Sequence, residues 1–196
     1  IEIESTKKNL QFSEALTSNH NHLRPKVLIA GCGTGNQVIT SSRYKNAQIT
    51  AIDLSSSSLA YAIRKAKEYG MDNVDFRKMD LIDVAALGET FDTVECGGVL
   101  HHMEDPAKGL SALNQQLTPG GYIKLGLYSE IARQDIVKTR NQIKQLGLKS
   151  TVDDIREFRQ QVLRGEFTEL VNLPNFGCNF YSLSECRDLC FHVQEH

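Results

Sequence analysis

VLIAGCGTGN, at residues 27–36, decides the fold, because an apolar run gives way to glycines at alternate positions, Gly31, Gly33 and Gly35. The apolar run predicts a buried strand, and glycine after a strand lets the backbone approach a ligand closely. Twenty residues beyond Gly33, the segment QITAIDL places Asp53 at the end of a second predicted strand. This succession of strand, glycine loop, helix, strand and acid is typical of α/β units that bind a nucleoside.

The composition indicates one α/β domain. The chain has 196 residues, 40% hydrophobic content and a net charge of −2 at pH 7. That length supports a core without disulfides or metals, and the charge provides no broad basic surface for nucleic acid or an anionic membrane. No apolar run approaches the roughly 20 residues that span a bilayer, and the segment IEIESTKKNLQ lacks a signal-peptide pattern. We therefore expect a cytoplasmic protein with neither nucleic acid nor membrane as a partner.

Alternating strand and helix patterns predict a Rossmann-like, doubly wound, mostly parallel sheet with helices on both faces. The strands are expected near residues 26–31, 48–53, 73–77, 91–96 and 121–127. The segment LTPGG precedes the last of them and is expected to end a helix.

Two helices of this core have clear start signals. Ser55 or Ser56 can cap one helix, and Asp105 can cap another in which Pro106 occupies the first turn. The buried stripe of the second helix is predicted from the apolar spacing of Leu110, Leu113 and Leu117.

After Tyr128 the pattern changes, because two helices, near 131–147 and 152–164, follow without a strand between them. Thr151 begins the second, with Asp154 at the capping-box position. Their apolar side chains are expected to pack on the carboxyl edge of the sheet as a lid. We therefore divide the chain into a core at 1–130 and a helical lid and carboxyl-terminal extension of the same domain at 131–196.

Five cysteines, at positions 32, 96, 178, 186 and 190, include no CxxC pair and favour a reducing compartment. Cys186, Cys190 and His192 could ligate a metal. However, Cys186, Leu189, Cys190 and Val193 recur at the spacing of an apolar helix stripe, which favours burial in a core over metal binding. We expect no metal site.

The spacing of the glycines is GxGxG, not the GxGxxG of dinucleotide-binding folds. It resembles motif I of class I S-adenosylmethionine-dependent methyltransferases of the small-molecule type. The segments FRKMDLID, FDTVECGGVLHHMEDP and LTPGGYIKLG resemble later motifs of that family, in the family's order, so the resemblance extends over residues 26–128. The tail SLSECRDLCFHVQEH is loosely similar to methyltransferase domains within larger bacterial proteins that contain tetratricopeptide repeats.

The resemblance implies S-adenosylmethionine as cofactor and S-adenosylhomocysteine as product. Asp53 would bind the ribose hydroxyls, Asp80 the adenine amino group, and Leu81 would supply the adjacent backbone amide. Asp83 fits a helix cap better than a ligand. The cofactor-binding residues implied by the resemblance are Gly31, Cys32, Gly33, Gly35, Gln37, Asp53, Leu54, Asp80, Leu81 and Gly97.

The sequence departs from the family pattern in two places. Many members carry an acid two residues before the first motif glycine, where it helps to hold the methionine amino group, but Ile29 stands there in this chain. Recognition of that amino group would then fall to loop carbonyls such as those of Gly31 or Gly97. In addition, no pattern between 165 and 196 predicts the final antiparallel pair of strands with which family members finish their sheet.

The reaction implied is in-line transfer of the methyl group to an acceptor, with His101, His102 or Glu104 as base where the acceptor must lose a proton. A metal-ligand role and a structural hydrogen-bonding role remain alternatives for the two histidines. Tyr128 and Glu130 could line the acceptor pocket.

We expect a small-molecule acceptor. The sequence ECGG after the fourth strand differs from the [DN]PP[YF] box of enzymes that methylate nucleic acid bases, and a helical lid suggests an enclosed pocket. A protein side chain is the less favoured acceptor. The competing hypotheses are a noncatalytic S-adenosylmethionine-binding or scaffold module and a nicotinamide-dependent dehydrogenase.

Overall fold

A computed structural model describes residues 24–129, 131–176 and 178–192. The chain divides into two compact units with the boundary between Leu127 and Tyr128. Each unit has an apolar core of its own. No helix within the described ranges has both the length and the apolar character needed to cross a membrane.

A five-stranded parallel sheet forms the centre of the first unit. Its strands are β1 Lys26–Ala30, β2 Gln48–Asp53, β3 Val74–Lys78, β4 Phe91–Gly97 and β5 Leu117–Gly126. The strands lie in the order β3-β2-β1-β4-β5, and all four neighbouring pairs are parallel. The chain thus winds outward from β1 in both directions, and the reversal between β1 and β4 creates a crevice at the carboxyl edge of the sheet.

Helices cover both faces of this sheet. The helical segments of the first unit are α1 Asn36–Ser41, α2 Ser56–Glu68, a 3₁₀ segment Leu81–Leu87, a 3₁₀ turn Leu100–His102, and α3 Pro106–Asn114. Val38 of α1 and Leu59 of α2 are buried in one core with Ile29 of β1. Val84 and Leu113 are buried in a second core, which lies on the other face. The predicted Rossmann-like, doubly wound sheet is confirmed.

The predicted helix starts are confirmed in the hydrogen bonds of the first turns. The Ser55 hydroxyl accepts from the backbone N–H of Ser58 at 3.2 Å, and the Asp105 carboxylate accepts from that of Lys108 at 3.0 Å. Pro106 follows Asp105 directly and occupies the first turn of α3. Each cap satisfies a backbone donor that has no partner inside its helix.

The prediction for the segment LTPGG was wrong, because it begins β5 instead of ending α3. Leu117 pairs with Phe91 of β4, and the register then shifts between Phe91 and Thr93, which absorbs the proline and glycine as an irregularity. The predicted stripe of α3 is correspondingly shorter. Leu113 is buried, whereas Leu110 is 38% exposed and Leu117 belongs to the strand.

All secondary-structure elements in the described residues of the second unit are helical. Its elements are a 3₁₀ turn Ile131–Arg133, α4 Gln134–Gln145, α5 Val152–Leu163, 3₁₀ turns Thr168–Leu170 and Leu173–Phe176, α6 Cys178–Tyr181, α7 Leu183–Cys186 and a π-helical segment Arg187–His192. Two helices follow β5 without an intervening strand, as predicted. Thr151 caps α5 by accepting from the backbone N–H of Asp154 at 3.2 Å.

The second unit buries its apolar stripes in its own core. Ile155, Phe158 and Val162 of α5 lie there, as do Cys186 and Cys190. The burial predicted for the two cysteines is therefore confirmed, whereas Val193 and the side chain of His192 lie outside the described residues. Among the described residues no group of His, Cys, Asp or Glu could hold a metal ion. The expectation that the apolar side chains of these helices pack on the carboxyl edge of the sheet was wrong, because they lie in the unit's own core. That residues 131–196 form a lid of the same domain stays a prediction.

We predict that Gly35→Ala destabilises the chain more than Gly70→Ala. Both glycines have positive φ, at 93° and 66°, so both variants lose about 1–2 kcal/mol to the left-handed backbone. A Cβ at Gly35 would also lie 2.9 Å from the Cβ of Ala62, whereas one at Gly70 would meet nothing within 4 Å. The crowding adds about 1–3 kcal/mol for Gly35→Ala, measured as the free energy of unfolding in urea. Equal losses in the two variants would contradict this packing argument.

Candidate active site

The glycine loop after β1 turns tightly over the end of β2. The backbone N–H groups of Gly31 and Cys32 both donate to the Ile52 carbonyl, each at 2.9 Å. Gly31, Gly33 and Gly35 all have positive φ. A Cβ at Gly31 would lie 2.2 Å from Val99 Cγ2, so only glycine fits beneath that side chain.

Asp53 fastens this loop to the tip of β2. Its Oδ2 accepts from the backbone N–H of Gly33 at 2.7 Å, and its Oδ1 accepts from that of Ser55 at 2.8 Å. Each carboxylate oxygen retains a further lone pair, so the group can accept additional hydrogen bonds from a ligand's hydroxyls. A Cβ at Gly33 would meet nothing within 4 Å, so the loop has open space at its middle glycine. Leu54, the next residue after Asp53, is exposed.

Asp80 lies at the end of the neighbouring strand. The N–H of Met79 donates to the Asp53 carbonyl at 3.1 Å, which joins the chain leaving β3 to the tip of β2. The Asp80 Oδ1 caps the following 3₁₀ segment by accepting from the Ile82 N–H at 3.1 Å. The prediction that Asp83 is the cap was therefore wrong, since Asp83 lies within the first turn that Asp80 caps. Leu81 is buried.

A side-chain bridge spans the crevice between β1 and β4. Gln37, near the start of α1, donates from Nε2 to the carbonyl of Gly97 at 2.9 Å. A Cβ at Gly97 would lie 2.5 Å from that nitrogen, so the close approach requires glycine. The bridge brings together two predicted site residues that are 60 positions apart in the sequence.

The three candidate bases differ in their exposure. His101 is 5% exposed and His102 is exposed, although their ring centroids are only 4.3 Å apart. Both belong to the 3₁₀ turn that follows β4, and Glu104 just beyond it is exposed. In the second unit, the guanidinium of Arg133 lies 3.5 Å from the ring centroid of Tyr128. Glu130 lies outside the described residues.

Cys32 contributes backbone and not a thiolate to the loop. Burial, with a further contribution from the negative charge of Asp53, raises the pKa of Cys32 from 9.0 to about 12. Burial also raises the pKa of Cys96, to about 11. Both side chains therefore remain neutral thiols at physiological pH.

Sequence reasoning missed a buried carboxylate on β4. Glu95 of β4 accepts from the hydroxyls of Ser41 at 3.3 Å and Tyr44 at 2.7 Å, and Lys124 lies 3.4 Å away. Burial and the hydrogen bond to Glu95 raise the pKa of Tyr44 above its usual range. The cluster ties the end of α1 to the central sheet. The available signal was a glutamate inside a predicted buried strand. A buried acid requires hydrogen-bond or charged partners, so its presence indicates such a cluster.

Comparison with known proteins gives a family match over the same part of the chain. Residues 27–121 match a model described as a methyltransferase domain. An uncharacterized protein of Synechococcus sp. is 44% identical over 115 residues, which are 58% of this chain and 28% of that protein. A ubiquinone biosynthesis O-methyltransferase of Paracidovorax citrulli is 37% identical over 102 residues, 50% of this chain and 41% of that protein. The chain thus spans less than half the length of these relatives.

Two solved structures share the fold. PKMT2 from Rickettsia typhi has a TM-score of 0.59 at 21% identity and covers 78% of this chain and 30% of its own. An S-adenosylmethionine-dependent methyltransferase from Clostridium acetobutylicum has a TM-score of 0.52 at 21% identity, and the match covers 67% of this chain and 50% of that one.

The sheet order, the glycine loop and Asp53 define a Rossmann-like nucleoside-binding domain. The family match, over residues 27–121, includes the glycine loop and Asp53 and extends into β5. Residues 27–121 therefore match a methyltransferase domain, on the fold that the resemblance to class I S-adenosylmethionine-dependent methyltransferases implied.

We predict that Cys32 and Cys96 resist alkylation in the folded chain. Iodoacetamide reacts with thiolates, and burial holds both thiols neutral. Mass spectrometry after labelling at pH 8 should find both unmodified, while the same chain in urea is modified fully. Burial raises these pKa values in the folded state, so the neutral thiols contribute fully to the free energy of unfolding below pH 9. This contribution is lost as the pH rises toward 12. Rapid labelling of either thiol at pH 8 would contradict the assignment.

Proposed function

We propose that this chain transfers the methyl group of S-adenosylmethionine to a small-molecule acceptor by in-line displacement. The observation that carries the proposal is the position of Asp53 at the tip of β2, beside the crevice of the sheet. Its carboxylate accepts hydrogen bonds from the glycine loop and from the start of α2. The ubiquinone biosynthesis O-methyltransferases among its relatives support an oxygen atom of a small molecule as acceptor. A noncatalytic module is not favoured, since the family and the named relatives are methyltransferases.

The residues at the carboxyl edge fit the cofactor. Asp53 would bind the ribose hydroxyls through lone pairs that the backbone leaves available. Asp80 uses Oδ1 as a cap, which leaves Oδ2 for the adenine amino group, and Leu81 would supply the adjacent N–H. Gly31, Cys32, Gly33 and Gly35 would form the backbone cradle, and Leu54 would lie beside the ribose. Gln37 and Gly97 would lie at the methionine end.

The chemistry supplied by S-adenosylmethionine is a methyl carbon made electrophilic by its sulfonium. The chain's own residues hold the acceptor in line and exclude water from it. His101 is the better placed base, because it is buried whereas His102 and Glu104 are exposed. It would take the proton of an acceptor hydroxyl as the oxygen attacks.

The remaining expectations concern the surroundings of the site. We propose that residues 131–196 are a helical lid and carboxyl-terminal extension of the same domain as residues 1–130. A net charge of −2 supports neither nucleic acid nor a membrane as partner, and a cytoplasmic location remains our proposal.

Titration of the chain with S-adenosylhomocysteine by calorimetry tests the cofactor. We expect micromolar binding, no binding of NAD, and about a hundredfold loss in Asp53→Ala, because two charge-assisted hydrogen bonds to the ribose are removed. Asp75→Ala is the matched control: this acid lies on β3 and pairs with Arg77, away from the site. Unchanged affinity in Asp53→Ala, or equal binding of NAD, would refute the assignment.

Transfer from tritiated S-adenosylmethionine to a panel of small phenols tests the reaction. We expect methylation of at least one phenol and none of casein. His101→Gln should lower kcat about a hundredfold with little change in the KM for S-adenosylmethionine, since it removes proton transfer and not cofactor contacts. Lys108→Gln, on the exposed surface of α3, is the control expected to leave turnover unchanged. Equal kcat in His101→Gln and the unaltered chain would remove His101 from the reaction.

A further inference from the structure

The bridge between Gln37 and Gly97 lies at the point where the sheet reverses direction. Gln37 follows the glycine loop of β1, and Gly97 ends β4, the strand beside β1 on the other side. In open α/β sheets the crevice at this reversal is where ligands bind. The Gln37 amide therefore lies within the most favourable ligand position of the fold.

The hydrogen bond fixes the orientation of this amide. Gln37 Nε2 donates to the Gly97 carbonyl, and a carbonyl oxygen can only accept. Rotating the amide by half a turn would place two acceptors against each other, so the positions of Nε2 and Oε1 are determined. Oε1 is thereby held as an acceptor on the other side of the same group.

Gln37 Oε1 is buried and has no hydrogen-bond partner within the described part of the chain. Leaving a buried acceptor unsatisfied costs about 1–3 kcal/mol. Such a group in a ligand crevice indicates a donor that arrives with the ligand.

The residue at the position where an acid would be expected cannot provide this acceptor. Ile29 is fully buried in the apolar core beneath α1 and α2, with Val27 and Val38. The amino group of the cofactor's methionine moiety therefore needs an acceptor from another residue, and an ammonium group donates three hydrogen bonds.

We propose that Gln37 Oε1 accepts a hydrogen bond from the α-ammonium group of S-adenosylmethionine, beside the second lone pair of the Gly97 carbonyl. The inference rests on the proposed function, because it assumes that this cofactor occupies the crevice. Gln37 is thus a specificity-determining residue for the amino-acid end of the cofactor. Recognition by a neutral amide replaces recognition by a carboxylate in this chain.

The test compares three ligands by calorimetry: S-adenosylhomocysteine, its deaminated analogue and methylthioadenosine, which lacks the whole amino-acid portion. We expect the unaltered chain to bind S-adenosylhomocysteine at least tenfold more tightly than the deaminated analogue. Gln37→Met, which keeps the volume but has no acceptor oxygen, should lower the affinity for S-adenosylhomocysteine about tenfold and abolish this preference. Its affinity for methylthioadenosine should not change. Gln48→Met, at the exposed start of β2, is the matched control.

The preference for the amino group decides the proposal. A tenfold preference that survives in Gln37→Met would overturn it. If Gln37→Met also binds methylthioadenosine more weakly, the ratio of its affinities for S-adenosylhomocysteine and the deaminated analogue decides, because a distorted crevice weakens both ligands alike. A ratio near one supports the proposal and a tenfold ratio refutes it. Failure of the unaltered chain to bind S-adenosylhomocysteine and methylthioadenosine would instead refute the proposed function.

Discussion

The two hydrogen bonds that Asp53 accepts from the backbone join the glycine loop to the sheet, and the geometry of the site depends on them. One oxygen holds Gly33 and the other holds Ser55, so a single carboxylate sets the position of the loop after β1 and the start of α2. The Ile52 carbonyl adds two bonds from the loop beside it. A ligand that reaches Asp53 therefore meets a loop that is already shaped, and the cost of ordering it at binding is reduced.

Local sequence signals predicted the geometry of this region. The spacing of the glycines and the twenty residues between Gly33 and Asp53 are features of a short stretch of the chain, and they are typical of a β1-α1-β2 unit. The caps at Ser55 and Asp105 were also predictable, because each depends on residues within the first turn of its helix. Asp80 and Asp83 show the limit of such reasoning, because two acids near one helix start are both plausible caps and only the backbone geometry distinguishes them.

Contacts between distant segments escaped prediction for a physical reason. The start of β5 is set by pairing with Phe91 of β4, and this pairing overrides the turn propensity of the proline and glycines in LTPGG. Glu95 contacts side chains more than fifty positions away, and no local pattern encodes such pairs. In the second unit the helix stripes were predictable from their period, but a stripe does not identify the surface on which it packs.

The separations of the two bridging contacts also bear on the order in which the site can form. Asp53 and Gly33 are 20 residues apart, whereas Gln37 and Gly97 are 60 apart. Closing the longer loop costs about 1 kcal/mol more chain entropy, and it requires β4 to be present. During synthesis all residues of the contact between Asp53 and Gly33 therefore emerge well before those of the contact between Gln37 and Gly97, which waits for the fourth strand.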